Sequence, residues 1–287
     1  MLSRKCIYLT TASEHELYEI CPERWYIEKV KFIKPGATET LVLGKIKHKF
    51  LEREFEAGLD YLTPEFEAIK RIDLENYIRR RARKARNEII EENSKEIKEM
   101  GIKRRKIRDI LKGVFYNNLH DFVDYLSERK KTTTIKKYVR GEDLQRPLIN
   151  KKVCLVARPD YIINFEYKGT NILNGVFISE IKSGNQPNKI YSSIINQITA
   201  SHMCLEESKD MVKNLFGREL EIMDFGVVFF NNLKENKIKI TNREKKRIKE
   251  NTKTMRKSRA REDDSELRKN YNACSFCPEE IKIECEI

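Results

Sequence analysis

VCLVARPDYIINF (residues 153–165) and GVFISEI (residues 175–181) are two short apolar runs rich in β-forming residues. The segment YKGTN (residues 167–171) between them is typical of a turn, so the pair predicts a β-hairpin. Residues 188–207 have the spacing of an amphipathic helix, and the apolar run at 224–231 predicts a further buried strand. Because helical patterns precede and follow these strands, we expect an α/β fold with helical additions.

Two acidic residues and a lysine stand on these predicted strands. Asp160 follows apolar residues of the first run, where an unpaired buried carboxylate would be costly. Glu180 and Lys182 are two residues apart on the second run, so they point to the same face. A hairpin would bring Asp160 beside them, and two carboxylates there would suit Mg²⁺ or Mn²⁺. Lys182 would then help to deprotonate a water or stabilise the transition state; the alternative is a half-buried ion pair with either acid.

A histidine lies upstream of this group on a predicted helix. Residues 41–56 are expected to form that helix, which carries Gly44, His48 and Glu52. A lone histidine on a helix is more often packed or exposed than bound to a metal. The order of His48, then the first acid, then the acid–lysine pair is what makes it a candidate ligand.

The cysteines near the C-terminus form a second candidate site. Cys274 and Cys277 are separated by two residues and Cys285 follows, a spacing that lets thiolates meet at one soft metal centre. A fourth ligand must come from elsewhere: Cys21 is the best candidate and Cys6 the next. The alternative is that the C-terminal cysteines are incidental.

The cysteine count does not favour a disulfide scaffold. Seven is an odd number, and the N-terminal 20 residues have no apolar core of a signal peptide. Cys154 and Cys204 lie in apolar or helical stretches and are expected to be small buried side chains.

Charge indicates a polyanionic partner. The chain carries 58 basic and 45 acidic residues, a formal net charge of +13, and 36% of its residues are charged. Residues 79–137 and 234–269 have net charges of +10 and +8, which suits binding to a phosphate backbone. The alternative is a pair of solvated helices with mixed charge. No run approaches the length of a membrane span, so we expect a soluble cytoplasmic protein.

The order of the candidate residues resembles a known nuclease family. Asp160, followed about twenty residues later by Glu180-Ile181-Lys182, resembles the core motif of the PD-(D/E)XK nucleases. His48 upstream, and Gln197 on the helix after the second strand, resemble the RecB-like branch of that family. The resemblance implies that His48, Asp160, Glu180 and the carbonyl of Ile181 bind a divalent metal and that Lys182 is the catalytic lysine.

The cysteines resemble those of the iron–sulfur subset of RecB-like nucleases, which includes the stand-alone CRISPR-associated exonucleases of the fourth numbered Cas family. The resemblance implies a [4Fe–4S] cluster held by Cys21, Cys274, Cys277 and Cys285. It implies that Gln197 shapes the site or contacts DNA. The activity implied is Mg²⁺- or Mn²⁺-dependent exonuclease cleavage of single-stranded DNA ends. The implied setting is antiviral defence, with trimming of spacer precursors and CRISPR integrase proteins as partners.

The resemblance also implies a division of the chain around a restriction-endonuclease-like core. Residues 1–64 would form a helical part with the first cysteine and the histidine, and residues 65–145 a basic helical insertion. Residues 146–245 would form the nuclease core, and residues 246–287 a basic helix with the cysteine cluster that joins the two chain ends.

One departure from the family pattern motivates a second hypothesis. A tyrosine is usual four residues after the motif glutamine, and this chain has Ser201 there, with His202 or Tyr191 as replacements for its DNA contact. Together with the basic insertion, this departure is compatible with a catalytically idle, DNA-binding adaptor that docks on an integrase complex. A separate alternative places zinc rather than iron at the cysteines, as a structural clip.

Overall fold

The computed structural model describes residues 8–36, 38–67, 69–168 and 173–262, together with residues 267, 277, 278, 281 and 282. The helices are α1 (Ala12–Ile20), α2 (Pro22–Lys29), α3 (Glu39–Leu62), α4 (Arg71–Glu92), α5 (Ser94–Glu99), α6 (Arg104–Tyr116), α7 (Leu119–Thr132), α8 (Ser192–Glu207), α9 (Lys209–Phe216) and α10 (Asn242–Arg261). The strands are β1 (Thr10–Thr11), β2 (Thr133–Arg140), β3 (Leu148–Asn150), β4 (Leu155–Ala157), β5 (Tyr161–Tyr167), β6 (Leu173–Ile181), β7 (Glu221–Ile222), β8 (Phe225–Phe229) and β9 (Glu235–Lys239).

A six-stranded mixed sheet lies at the centre of the fold. Its strand order is β2-β5-β6-β8-β9, and β7 pairs with β6 beside β8. Strands β5 and β6 are antiparallel, whereas β6 and β8 are parallel and joined through helices α8 and α9. A smaller three-stranded sheet has the order β1-β4-β3. The α/β class predicted from the sequence is confirmed, with helices on both faces of a mixed sheet.

Each face of the large sheet is covered by its own apolar core. Ile163 and Phe177 belong to the core that includes α3, α4, α6 and α7. Ile162 and Ile178, their direct neighbours in the chain, belong to the core formed with α8 and α10. This alternation follows from the pleat, because successive side chains of a strand point to opposite faces. Both faces of β5 and β6 are therefore buried, which explains why these two segments are nearly continuous apolar runs.

The first apolar run of the sequence is two strands rather than the one predicted. Strand β4 belongs to the small sheet and β5 to the large one, and Arg158, Pro159 and Asp160 separate them. A proline has no N–H for a strand ladder, so it ends a strand inside a sheet. The break leaves Asp160 immediately before β5, at the end of the strand.

The segment 65–145 contains more than basic helices. Helices α4 to α7 occupy most of it, up to Thr132, but β2 follows them and pairs antiparallel with β5 along its whole length. Thr133, Thr134 and Ile135 start this strand and are buried. Within the described part of the chain, no helix is both long and apolar enough to cross a membrane.

Candidate active site

The candidate site lies where β5 begins and β6 ends, between helix α3 on one side and helices α1 and α8 on the other. Tyr161 pairs with Ser179 in the antiparallel ladder, so continuing the register places Asp160 opposite Glu180. Asp160 Oδ2 accepts a hydrogen bond from the backbone N–H of Ile181 at 2.6 Å. The structure therefore brings the two acids of the sequence motif to adjacent positions on neighbouring strands.

Glu180 is buried, whereas Asp160 is half-buried. The Glu180 side chain is buried; its Oε2 accepts a hydrogen bond from Gln197 Nε2 at 3.0 Å, and its Oε1 has no hydrogen-bond partner among the described residues. Burial raises the pKa of Glu180 well above its usual value, and the nearby charge of Asp160 raises it further. Burial also raises the pKa of Asp160, against the opposing effects of His48 and the Ile181 N–H. A cation placed between the two carboxylates would relieve this penalty.

Helix α3 contributes His48 and, one turn later, Glu52. His48 Nε2 lies 3.3 Å from Glu52 Oε1 and 4.0 Å from Asp160 Oδ2. The hydrogen bond to Glu52 raises the pKa of His48, as does the charge of Asp160, while partial burial lowers it. His48, Glu52 and Asp160 each offer one ligand atom within 4.8 Å of the others. Glu180 does not belong to this group of three, which thus differs from the predicted ligand set.

Lys182 is held by two side chains from different helices. Its Nζ lies 2.8 Å from Glu16 Oε2 on α1 and 2.5 Å from Gln197 Oε1 on α8. Among the described residues, Lys182 forms its ion pair with Glu16. The structure therefore does not contain the alternative ion pair of Lys182 with Asp160 or Glu180. Gln197 uses its amide oxygen for Lys182 and its amide nitrogen for Glu180, so it sets the separation of those two groups.

Two residues of the site, Glu16 and Glu52, were assigned no role from the sequence. The role of Glu52 could have been predicted from the sequence, because Glu52 lies four residues after His48 and therefore on the same face of the helix. The role of Glu16 could not, since 166 residues separate it from Lys182 and no local pattern links the two.

The residues present fit a divalent cation. Their donors are carboxylate oxygens and one imidazole nitrogen, with no sulfur ligand, which suits Mg²⁺ or Mn²⁺. The Glu180 oxygen without a partner is a buried acceptor for which the described residues provide no donor. A recess of about 380 Å³ opens beside Asp160, lined by Glu52 and Arg140 among others, and gives the site access to solvent.

The position that carries a tyrosine in the resembled family faces inward. Ser201 on α8 is fully buried, so it makes no contact with a ligand at the surface. Of the two residues considered as replacements, His202 is also buried, and its Nε2 is bonded to the carbonyl of Met223 at 2.7 Å. Tyr191, just before α8, is 64% exposed.

The cysteine cluster cannot be assembled from the described residues. Cys6, Cys274 and Cys285 lie outside them. Cys21 is buried between α1 and α2, where its Sγ accepts a hydrogen bond from the N–H of Arg24 at 3.5 Å. Cys277 is half-buried and packs on a small apolar cluster formed by Ile27 of α2 and Ile281.

The other two described cysteines lie in the fold away from this region. Cys154 and Cys204 are both buried, as predicted. Cys204 is free, whereas Cys154 takes part in a disulfide bond, against the expectation that it is a simple apolar residue.

The central strand ends of the mixed sheet bring a buried acid, a half-buried acid and a neighbouring lysine together, an arrangement that can hold a divalent metal beside a phosphodiester. The sequence matches the PD-(D/E)XK nuclease superfamily over residues 10–280, and the chain belongs to that superfamily. Membership indicates metal-dependent nuclease activity with a divalent ion as cofactor and DNA as substrate. A search of curated proteins finds no match for the chain.

Proposed function

We propose that this protein is a Mg²⁺- or Mn²⁺-dependent deoxyribonuclease in which His48, Asp160, Glu180 and the Ile181 carbonyl hold the metal and Lys182 is the catalytic lysine. The observation that carries the proposal is the meeting of Asp160 and Glu180 at the strand ends, with His48 above them. Glu52 is a further candidate ligand, because it completes the compact donor group on α3.

The chain's own residues would bind and orient the reacting groups. When bound, a divalent ion would polarise the scissile phosphate and promote ionisation of the attacking water. Lys182, fixed by Glu16 and Gln197, would present a positive charge to the phosphate as negative charge develops in the transition state. Because both partners are side chains from packed helices, the lysine needs little reorganisation during the reaction.

Within the superfamily, we place the chain in the RecB-like branch as a CRISPR-associated type of exonuclease that trims single-stranded ends of spacer precursors. The placement of Gln197 supports this, since it contacts both the motif acid and the motif lysine. The basic helices α4 and α6 add the positive surface that a DNA backbone needs. Integrase proteins would be the partners in that setting.

A [4Fe–4S] cluster on Cys21, Cys274, Cys277 and Cys285 belongs to the same proposal. Its support is that Cys277 packs near Ile27, on the helix that starts directly after Cys21. Anaerobic purification followed by an iron and zinc assay and a visible spectrum tests it. A coloured protein with iron that Cys277→Ser loses supports the cluster; a colourless, zinc-loaded protein supports a structural clip instead.

The nuclease assignment is tested with end-labelled single-stranded DNA and Mn²⁺. Wild type should shorten the DNA, while Asp160→Ala and Lys182→Ala should not. Asp109→Ala, which removes an exposed acid of α6, is the matched control and should cleave normally. Circular single-stranded DNA should resist cleavage by an exonuclease. Equal activity in all variants would rule out this site.

The buried Ser201 keeps the adaptor hypothesis as the second candidate. An adaptor with an idle site would bind DNA with a steep dependence on salt and would cleave none under any divalent metal.

A further inference from the structure

A recess of about 770 Å³ lies between the start of α8 and the first two turns of α10. We call it the α8–α10 recess; among its lining residues are Lys189, Tyr191, Ile195, Arg243, Lys246 and Arg247. None of these residues belongs to the metal site, and the recess lies on the α8 side of the sheet, whereas His48 lies on the α3 side.

Tyr191 presents an aromatic ring to this recess. The side chain is 64% exposed, and its ring stacks on no other ring or cation in the described part of the chain. Its backbone is fixed, because its carbonyl accepts hydrogen bonds from the N–H groups of Ile194 and Ile195 at the helix start. An exposed aromatic ring on a rigid backbone position is a ready stacking surface for a planar group.

Four cations and two acids, Glu244 and Glu250, line the recess beside Tyr191. Lys189 and Arg243 are exposed and form no ion pair with another described residue. Lys246 Nζ lies 3.9 Å from Glu250 Oε1, but both side chains are largely exposed, so this pairing is weak. Arg247 is turned toward Glu19 on α1, 3.7 Å away. Three cations are therefore available to anionic groups in the recess that Tyr191 lines.

Helix α8 connects this recess to the catalytic lysine. Tyr191 and Gln197 are six residues apart, which corresponds to about 9 Å along the helix axis. Gln197 bonds to Lys182 and Glu180. At about 3.4 Å per stacked nucleotide, the separation corresponds to roughly two or three nucleotides.

We propose that the α8–α10 recess is a subsite for an unpaired nucleotide, with a base stacked on Tyr191 and the flanking phosphates bound by Lys189, Arg243 and Lys246. This proposal rests on the proposed function, because it takes DNA as the substrate, and it deepens that function by assigning the unpaired strand a contact point outside the metal site. An internal base of a duplex is stacked on both of its neighbours and has no free face for the tyrosine. The ring thus selects unpaired strands, whereas the cations alone would bind either form.

The test measures binding in the absence of divalent metal, by fluorescence anisotropy, with a labelled single strand and with a blunt duplex. Tyr191→Ala should weaken single-strand binding by about 5- to 150-fold, the range found for loss of one base–aromatic stack. It should leave duplex binding within about twofold, and Tyr191→Phe should retain single-strand affinity because the ring face is kept. Tyr167→Ala is the control, since this tyrosine ends β5 at the opposite end from Asp160 and is also exposed.

An abasic scan identifies the contact. A set of single strands is prepared, each with one abasic position. At one position, loss of the base should weaken binding to wild type. The same loss should not weaken binding to Tyr191→Ala, which no longer has the ring for that base. If no position shows this coupling, or if Tyr191→Ala weakens both DNA forms equally, the subsite is wrong. Absence of single-strand binding by wild type would also overturn it.

The two proposals fail separately. Tyr191-dependent binding without any cleavage would retain the subsite and remove the nuclease. Cleavage that depends on Asp160, combined with normal binding by Tyr191→Ala, would remove the subsite alone.

Discussion

Gly141 is the residue whose substitution should most directly disturb the placement of Asp160. It begins a single 3₁₀ turn after β2, and its N–H donates a hydrogen bond to the carbonyl of Asp160 at 2.9 Å. A Cβ at this position would lie 1.8 Å from the carbonyl oxygen of Pro159 and 2.9 Å from its carbon. Both atoms are backbone, so no side-chain rotation relieves the clash.

The size of the effect follows from this overlap. Carbon and oxygen pack at about 3.5 Å, so in Gly141→Ala the segment before Asp160 must move by well over 1 Å. Overpacking of this kind costs about 1–3 kcal/mol in the free energy of unfolding. A displacement of about 1 Å at a reacting group lowers the rate by roughly a hundredfold, and we expect that loss in kcat/KM for single-stranded DNA.

The assay combines urea unfolding with cleavage kinetics, and Gly113→Ala is the matched control. Gly113 lies inside α6 and a Cβ there meets nothing within 4 Å, so alanine should raise the free energy of unfolding by about 0.5–1 kcal/mol and leave activity unchanged. If Gly141→Ala unfolds at the wild-type urea concentration and cleaves at the wild-type rate, the turn does not position Asp160 as argued.

Three further predictions concern other parts of the fold. Glu16→Ala frees Lys182 on one side and should lower kcat by roughly tenfold or more without changing KM; an unchanged kcat would show that Gln197 alone orients the lysine. Burial lowers the pKa of His15 to about 3, so the folded protein keeps this ring neutral and unfolding takes up a proton below about pH 6.5. As the pH falls below about 6.5, the free energy of unfolding should therefore decrease more steeply than in His15→Gln. The difference in slope should approach about 1.4 kcal/mol per pH unit near pH 5, and urea titrations at several pH values measure it. Ile89→Ala removes a fully buried side chain of α4 and should cost about 2–5 kcal/mol in the same titration, whereas a smaller loss would indicate that the helical layer collapses into the space.

Much of the core site could be predicted because its information is local. Asp160, Glu180 and Lys182 interrupt apolar runs whose pattern already indicates buried strands, and polar residues at such positions need a partner or a ligand. The antiparallel hairpin then determines which of them meet. Glu52 was within reach by the same reasoning, because the helix period places it one turn from His48.

Other features depended on contacts between distant segments. Strand β2 starts with threonines directly after helix α7, and its pairing with β5 is what makes it a strand. Ser201 faces the core because α8 packs between the two sheets, which the spacing from Gln197 does not reveal.

The sequence by itself determined the α/β class, the hairpin that carries the acids and the basic character of the helices, since each follows from periodicity or charge within a few residues. Only the tertiary structure decided that Glu16 pairs with Lys182, that Gln197 bridges acid and lysine, and that Tyr191 faces a cationic recess. The physical reason is that these arrangements join residues far apart in the chain, and their geometry is set by the packing of whole helices on the sheet.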